Sequence, residues 1–123
     1  MDLSRYTGKF TPNIEDNSED DQSYGLGKEN QIIFMLEFCL KKGISFALPY
    51  DHVTEIAYDS DSAEEIVIGY PDRDIRLKGV NLKPIWTNLL FRQIKWIRES
   101  DSKNGREKEP CIYEILNEKY EEN

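Results

Sequence analysis

The side chains able to do chemistry are few, and they stand apart. His52 is the only histidine, in the run Tyr50-Asp51-His52. An imidazole beside a carboxylate suits a general base. Nucleophilic catalysis also needs an activated nucleophile and an oxyanion site, and no nucleophile-elbow motif accompanies it. His52 therefore reads as structural or solvent-exposed. Cys39 lies in the apolar run of residues 31–40, where desolvation disfavours its thiolate, so it reads as a core thiol. Cys111 is the other cysteine, and two cysteines with one distant histidine do not make a zinc site. The run Asp59-Ser60-Asp61-Ser62-Ala63-Glu64-Glu65 offers carboxylates but lacks the glycine and the final acid spacing of a calcium loop; it reads as a solvated hairpin turn. Gly25-Leu26-Gly27 follows no predicted strand and no lysine stands at phosphate-loop spacing after it. No catalytic residue, metal ligand or cofactor motif emerges, and the expectation is a chain that is not an enzyme and takes no cofactor.

One segment concentrates recognition chemistry. Residues 73–98 carry seven basic residues, Arg73, Arg76, Lys78, Lys83, Arg92, Lys95 and Arg98, and one acid, Asp74, inside a chain of net charge −8. Both tryptophans, Trp86 and Trp96, are here too. Basic residues interleaved with an aromatic suit an anionic partner, with Trp96 stacking on a base or packing under a helix. The bland alternative is a charged solvated face paired with the acids of residues 51–74, and the overall acidity favours it over nucleic-acid binding. The acidic run of residues 15–21 has the charge to compete for the same segment intramolecularly.

The elements that must position these residues read from hydrophobic period. Residues 31–40 alternate Ile32, Phe34, Leu36, Phe38 and Leu40 against Ile33, Met35, Glu37 and Cys39, which predicts a central strand. Lys41-Lys42-Gly43 turns the chain into a second strand, 44–48, ended by Pro49. Strands at 53–58, 64–70 and 73–78, joined by polar turns, predict an antiparallel meander. The period then becomes helical at Leu82, Ile85, Trp86, Leu89 and Leu90. Asn81 reads as the N-cap, with Pro84 in the first turn and Val80 and Ile85 as a hydrophobic staple. On that reading Asn81→Ala costs about 1 kcal/mol. The helix should end near Arg92-Gln93, and residues 94–98 suit a short returning strand. Residues 110–121 fit a helix starting at Pro110 and equally a strand, CIYEIL; the reading leans to helix.

Charge divides the chain into a nearly neutral body between acidic ends. Residues 1–29 read as a disordered or loosely docked arm, 30–99 as the body, and 100–123 as a charged linker with a short C-terminal element. A body this small needs extra burial from the C-terminal segment or from a homo-oligomer. The N-terminal residues lack a signal-peptide layout and no apolar run approaches a membrane span, so the expectation is a cytoplasmic chain that does not engage membranes.

The order of elements over residues 44–99 resembles a group of small uncharacterised bacterial proteins. The shared pattern is a strand ending in Leu48-Pro49, a basic strand into Gly79-x-Asn81-Leu82, an amphipathic helix, and Trp96-Ile97-Arg98-Glu99. The resemblance implies element order and no activity. Taken together, the sequence predicts an α+β fold: a curved antiparallel sheet of about five or six strands with one amphipathic helix packed on it. A half-barrel like the pleckstrin-homology fold is one architecture of that class. The functional expectation is a protein-interaction module, with a protein partner or a second copy of itself. The alternative is a weak binder of nucleic acid or another anion through Arg73, Arg76, Lys78, Lys83, Arg92, Lys95, Trp96 and Arg98.

Overall fold

Alternation of apolar and polar residues sets the strands, and the structure, a computed structural model, describes residues 22–61, 63–100 and 109–121. The expectations for residues 15–21 and for most of the linker lie outside these residues. Among the described residues eight strands form two sheets, accompanied by one α-helix. The strands are β1 (Tyr24–Leu26), β2 (Met35–Cys39), β3 (Ser45–Pro49), β4 (Glu55–Asp59), β5 (Glu64–Tyr70), β6 (Arg73–Val80), β7 (Ile94–Arg98) and β8 (Cys111–Lys119). The helix α1 is Lys83–Leu90, and a 3-10 turn spans Tyr50–His52. The first sheet runs β1-β7-β2-β3, all antiparallel except the parallel β2–β7 pair. The second runs β4-β5-β6-β8 and is antiparallel throughout. A fold of strands with one helix fits the α+β class, but the single sheet of five or six strands is replaced by two four-stranded sheets, both open.

The β2–β3 hairpin and the β4–β5–β6 meander form as their alternation predicts. Gly43 turns the hairpin at φ 85°, a conformation that suits glycine. Leu36 and Phe38 on β2 are buried and central, whereas Ile32 and Phe34 precede the strand and are exposed. Both sheets contribute to one core: Leu36, Phe38, Ile94 and Ile97 from the first, Ile66, Ile68, Ile75, Leu77 and Ile112 from the second, with Leu82, Ile85 and Leu89 from the helix.

Residues 111–119 are a strand and not a helix. CIYEIL suits both periods, and the open edge of β6 decides, because β8 supplies hydrogen bonds along the whole of β6. A side chain at Gly79 would collide with the Cys111 carbonyl, so the two backbones approach closely there only because position 79 lacks one. Tyr24–Leu26, within the stretch expected to be a loose arm, pairs with β7.

The helix start also departs from expectation. Asn81 is left-handed, at φ 57°, and Leu82 takes the N-cap position without a side-chain cap. The acceptor comes from β5. Glu64 takes the Asn81 N–H at 2.6 Å and the Leu82 N–H at 2.8 Å, and Tyr58 donates its hydroxyl to the same carboxylate at 2.9 Å. Pro84 is therefore the second helical residue, and the staple between Val80 and Ile85 loses its register. A second carboxylate does similar work. Glu99 accepts from the Lys41 N–H at 2.9 Å and the Ile115 N–H at 2.7 Å, joining the β2–β3 hairpin to β8. Ser23 completes the join: its buried hydroxyl donates to the Pro110 carbonyl and accepts from the Ile112 N–H.

Two stability tests follow. Glu64→Gln keeps one acceptor oxygen for two helix-start donors and should lower unfolding free energy by about 1–2 kcal/mol in urea titrations. Asn81→Ala should cost about 1 kcal/mol through left-handed strain while Asn81→Gly changes little; equal losses would instead trace the cost to the bond from the Asn81 side chain to the Glu109 carbonyl, which both variants remove. Separately, the buried Tyr70 hydroxyl has no hydrogen-bond partner among the described residues, so Tyr70→Phe should leave thermal stability unchanged or raised.

Candidate interaction site

The helix ends in a second left-handed residue. Arg92 sits at φ 55°, its N–H bonded to the Leu89 carbonyl at 3.1 Å. This turn sends its guanidinium back toward the chain entering β2. One nitrogen donates to Asp51 at 2.9 Å and another to the Ile33 carbonyl at 3.0 Å. The guanidinium lies 5.0 Å from the centre of the Tyr50 ring. Tyr50 is itself buried, with its N–H on the Phe34 carbonyl at 2.9 Å and its hydroxyl on the Ile94 carbonyl at 2.7 Å. Burial pushes the Tyr50 hydroxyl up to about 12, against smaller lowering by the Ile94 hydrogen bond and Arg92.

Around this knot stand four large apolar side chains in solvent: Ile32 at 71% exposure, Phe34 at 66%, Phe91 at 69% and Leu90 at 52%. Each is within two residues of a backbone or side-chain group of the knot. The Arg92–Ile33 bond sets the pair Ile32 and Phe34 and the pair Leu90 and Phe91 on either side of one contact, here termed the rim, while Leu26, Met35, Ile44, Val80 and Tyr120 are exposed elsewhere.

The cations of the basic segment take separate places. Arg73 pairs with Asp72 at 2.9 Å. Arg76 pairs with Glu65 and, at 3.2 Å, with Glu118. Lys78 lies 4.0 Å from Glu114. These three belong to β6 in the second sheet. Arg76 and Lys78 point outward with Asp74, beside Glu65 on β5 and Glu114 and Glu118 on β8, while Glu55 and Asp59 of β4 share that face. The face is thus richer in acid than in base. Arg92 belongs to the knot described above. Lys83 is exposed at the first helical position. Lys95, Trp96 and Arg98 lie on β7 in the other sheet. The structure therefore puts Lys95, Trp96 and Arg98 on one strand and Arg73, Arg76 and Lys78 on another, with Arg73 on the opposite face from Arg76 and Lys78, and does not join the two groups on one strand or sheet.

Trp96 does not pack under the helix. Its ring covers Gly25 of β1, where a side chain would collide with the indole, and Arg98 lies 4.6 Å from the ring centre. Trp86, on the helix, stacks on Tyr58 at 5.6 Å. A cavity of about 500 Å³ opens beside Trp96, lined also by Tyr24, Gly25, Lys95, Glu109 and Pro110.

His52 is exposed at the end of the 3-10 turn. Cys39 is half-buried on the outward face of β2 and is not part of the core as expected; burial raises its thiol, with lowering by Ser45 second. Among the carboxylates of the expected hairpin turn, Asp59 accepts from the Asp61 N–H and Glu64 is engaged at the helix start. Sequence reasoning missed Glu64, Glu99, Ser23, Tyr50 and Asp51. Their signal is a partner distant in sequence, which periodicity does not report.

The chain matches no family model, no curated protein and no solved structure.

The Tyr50 shift has a testable sign. A phenol whose folded pKa exceeds its unfolded value, about 10, stabilises fully below that pH. The contribution is lost as pH rises from about 10 to about 12. Thermal melts should therefore fall over this interval, and Tyr50→Phe should flatten the part of the fall owed to this group.

Proposed function

We propose that this chain is a non-enzymatic protein-interaction module that meets a protein partner through the rim of Ile32, Phe34, Leu90 and Phe91. The observation that carries the reading is the exposure of these four side chains around one hydrogen-bonded knot. Burying such groups against a partner is favourable at roughly 25 cal/mol per Å² of apolar surface, and the fixed backbone beneath them limits the ordering cost. The internal pairing of Arg73, Arg76, Lys78 and Arg92 supports the same reading, because a cation already matched to a carboxylate offers less to an anion.

The second reading is an anionic partner. It is favoured by Lys95 and Trp96 lining the cavity, with Arg98 4.6 Å from the Trp96 ring centre, and it draws less on the cations of β6. The cytoplasmic setting belongs to this proposal. So does a pleckstrin-homology-like half-barrel, which two open sheets and one helix support only in outline. No helix among the described residues is long and apolar enough to cross a membrane.

The two readings separate on an affinity column. Immobilised chain should retain a protein from lysate, with retention surviving about 0.5 M salt, where screening shortens the Debye length to a few ångströms. Phe34→Asp with Phe91→Asp should abolish that retention without altering the melting curve. Retention of heparin that collapses with salt, and that the double variant leaves intact, supports the anionic partner instead.

A further inference from the structure

The four sheet edges differ in what they offer. On β8 the Ile112 carbonyl accepts from Ser100 and the Ile112 and Ile115 N–H groups go to Ser23 and Glu99, so its first half is occupied. The β1 edge is three residues long with a register shift after Gly25. The β4 edge carries Glu55 at one end and Asp59 at the other, so pairing with its own copy about Ala57 would set acid opposite acid. The β3 edge, Ser45-Phe46-Ala47-Leu48-Pro49, carries no charge.

The hydrogen-bond parity of β3 is fixed by its two ends. Leu40 N–H donates to the Ile44 carbonyl and Tyr50 N–H to the Phe34 carbonyl. With the constant register between them, residues 46 and 48 also bond inward to β2. Ser45, Ala47 and Pro49 therefore turn their backbone groups to the open edge. Pro49 has no N–H to leave unpaired there, which is how proline fits an edge strand. The edge thus offers two donors, Ser45 and Ala47, and three acceptors, Ser45, Ala47 and Pro49.

We propose that this edge binds the β3 of a second copy of the chain, antiparallel about a two-fold axis at Ala47. In that register each Ala47 N–H meets the partner copy's Ala47 carbonyl, and each Ser45 N–H meets the Pro49 carbonyl. Every outward donor is satisfied, and proline faces only an acceptor that needs nothing from it. Phe46 of one copy then lies opposite Leu48 of the other in the closer, non-hydrogen-bonded pair. Both are only partly buried in the single chain, packed on the core at the end of its sheet, so the second copy completes their cover. Ala47 is small enough for two outer faces to meet at the axis. The two Glu37 carboxylates, each on the strand next to β3, would stand three strand spacings apart, roughly 14 Å, beyond the screening distance of about 8 Å at physiological salt. The result is an eight-stranded sheet across the dimer. This surface is distinct from the rim of Ile32, Phe34, Leu90 and Phe91, so it names a partner within the interaction reading without resting on that rim.

Light scattering and amide exchange on the full chain test it. The chain should run at twice its 14.4 kDa mass at micromolar concentration. The Ala47 and Ser45 amides should exchange at least tenfold more slowly as concentration rises, while the Phe46 amide, bonded inward, does not change. Ala47→Pro removes the outward N–H without touching the β2 ladder, and Ala47→Lys sets two charges together at the axis. Each should give a monomer, and Ala47→Lys guards against misfolding of the proline variant. Phe34→Asp with Phe91→Asp should stay dimeric, which separates this surface from the rim. A monomeric chain at all concentrations, whether or not its Ala47 amide is protected, overturns the proposal. So does a dimer that survives both Ala47 substitutions.

Discussion

Where the chain leaves one sheet for the other, backbone N–H groups lose their ladder partners and must find another acceptor. Leaving them unpaired near the core costs about as much as a broken hydrogen bond, on the order of 1–3 kcal/mol each. Two carboxylates meet that need. Glu64 receives the chain as β6 turns into the helix, and Glu99 receives the hairpin and β8 at the end of β7. Both helix ends depend on a left-handed residue, Asn81 before the first turn and Arg92 after the last, and each places a polar contact, to the Glu109 and Ile33 carbonyls respectively. The rim at the end of the helix is a consequence of this placement.

The same matching governs the cations. A half-buried guanidinium is stable where a carboxylate lies beside it, and β6 has acids on both neighbouring strands. Arg76 is held protonated first by Glu65 and then, against the opposing effect of burial, by Glu118. Charge that looks like a binding surface when read along residues 73–98 is divided in space between two sheets and a helix end. Among the described residues the fold also leaves apolar groups in solvent, the rim, and an uncharged edge, β3.

Much of the fold was legible in the sequence because period 2 and period 3.6 are local. The β2–β3 hairpin, the meander, β7 and the helix all carry their own pattern. The legible part stops where a distant partner decides. Residues 111–119 fit either period, and the open edge of β6 makes them a strand. Asn81 has the composition of a cap, yet Glu64, seventeen residues earlier, does the capping. Tyr24–Leu26 has too few apolar residues to announce a strand, and Trp96 covering Gly25 holds it. The candidate site was legible only as composition. Which cations meet which acids depends on strand order, and strand order is a property of the packed sheets.

The central claim is that Arg73, Arg76 and Arg92 are committed within the fold. Nuclear magnetic resonance of the labelled chain, titrated with a short heparin fragment at low salt, tests it through the side-chain Nε–H signals of Arg73, Arg76 and Arg92. The account predicts that these signals stay in place throughout the titration. Joint movement of all three with added polyanion would contradict it.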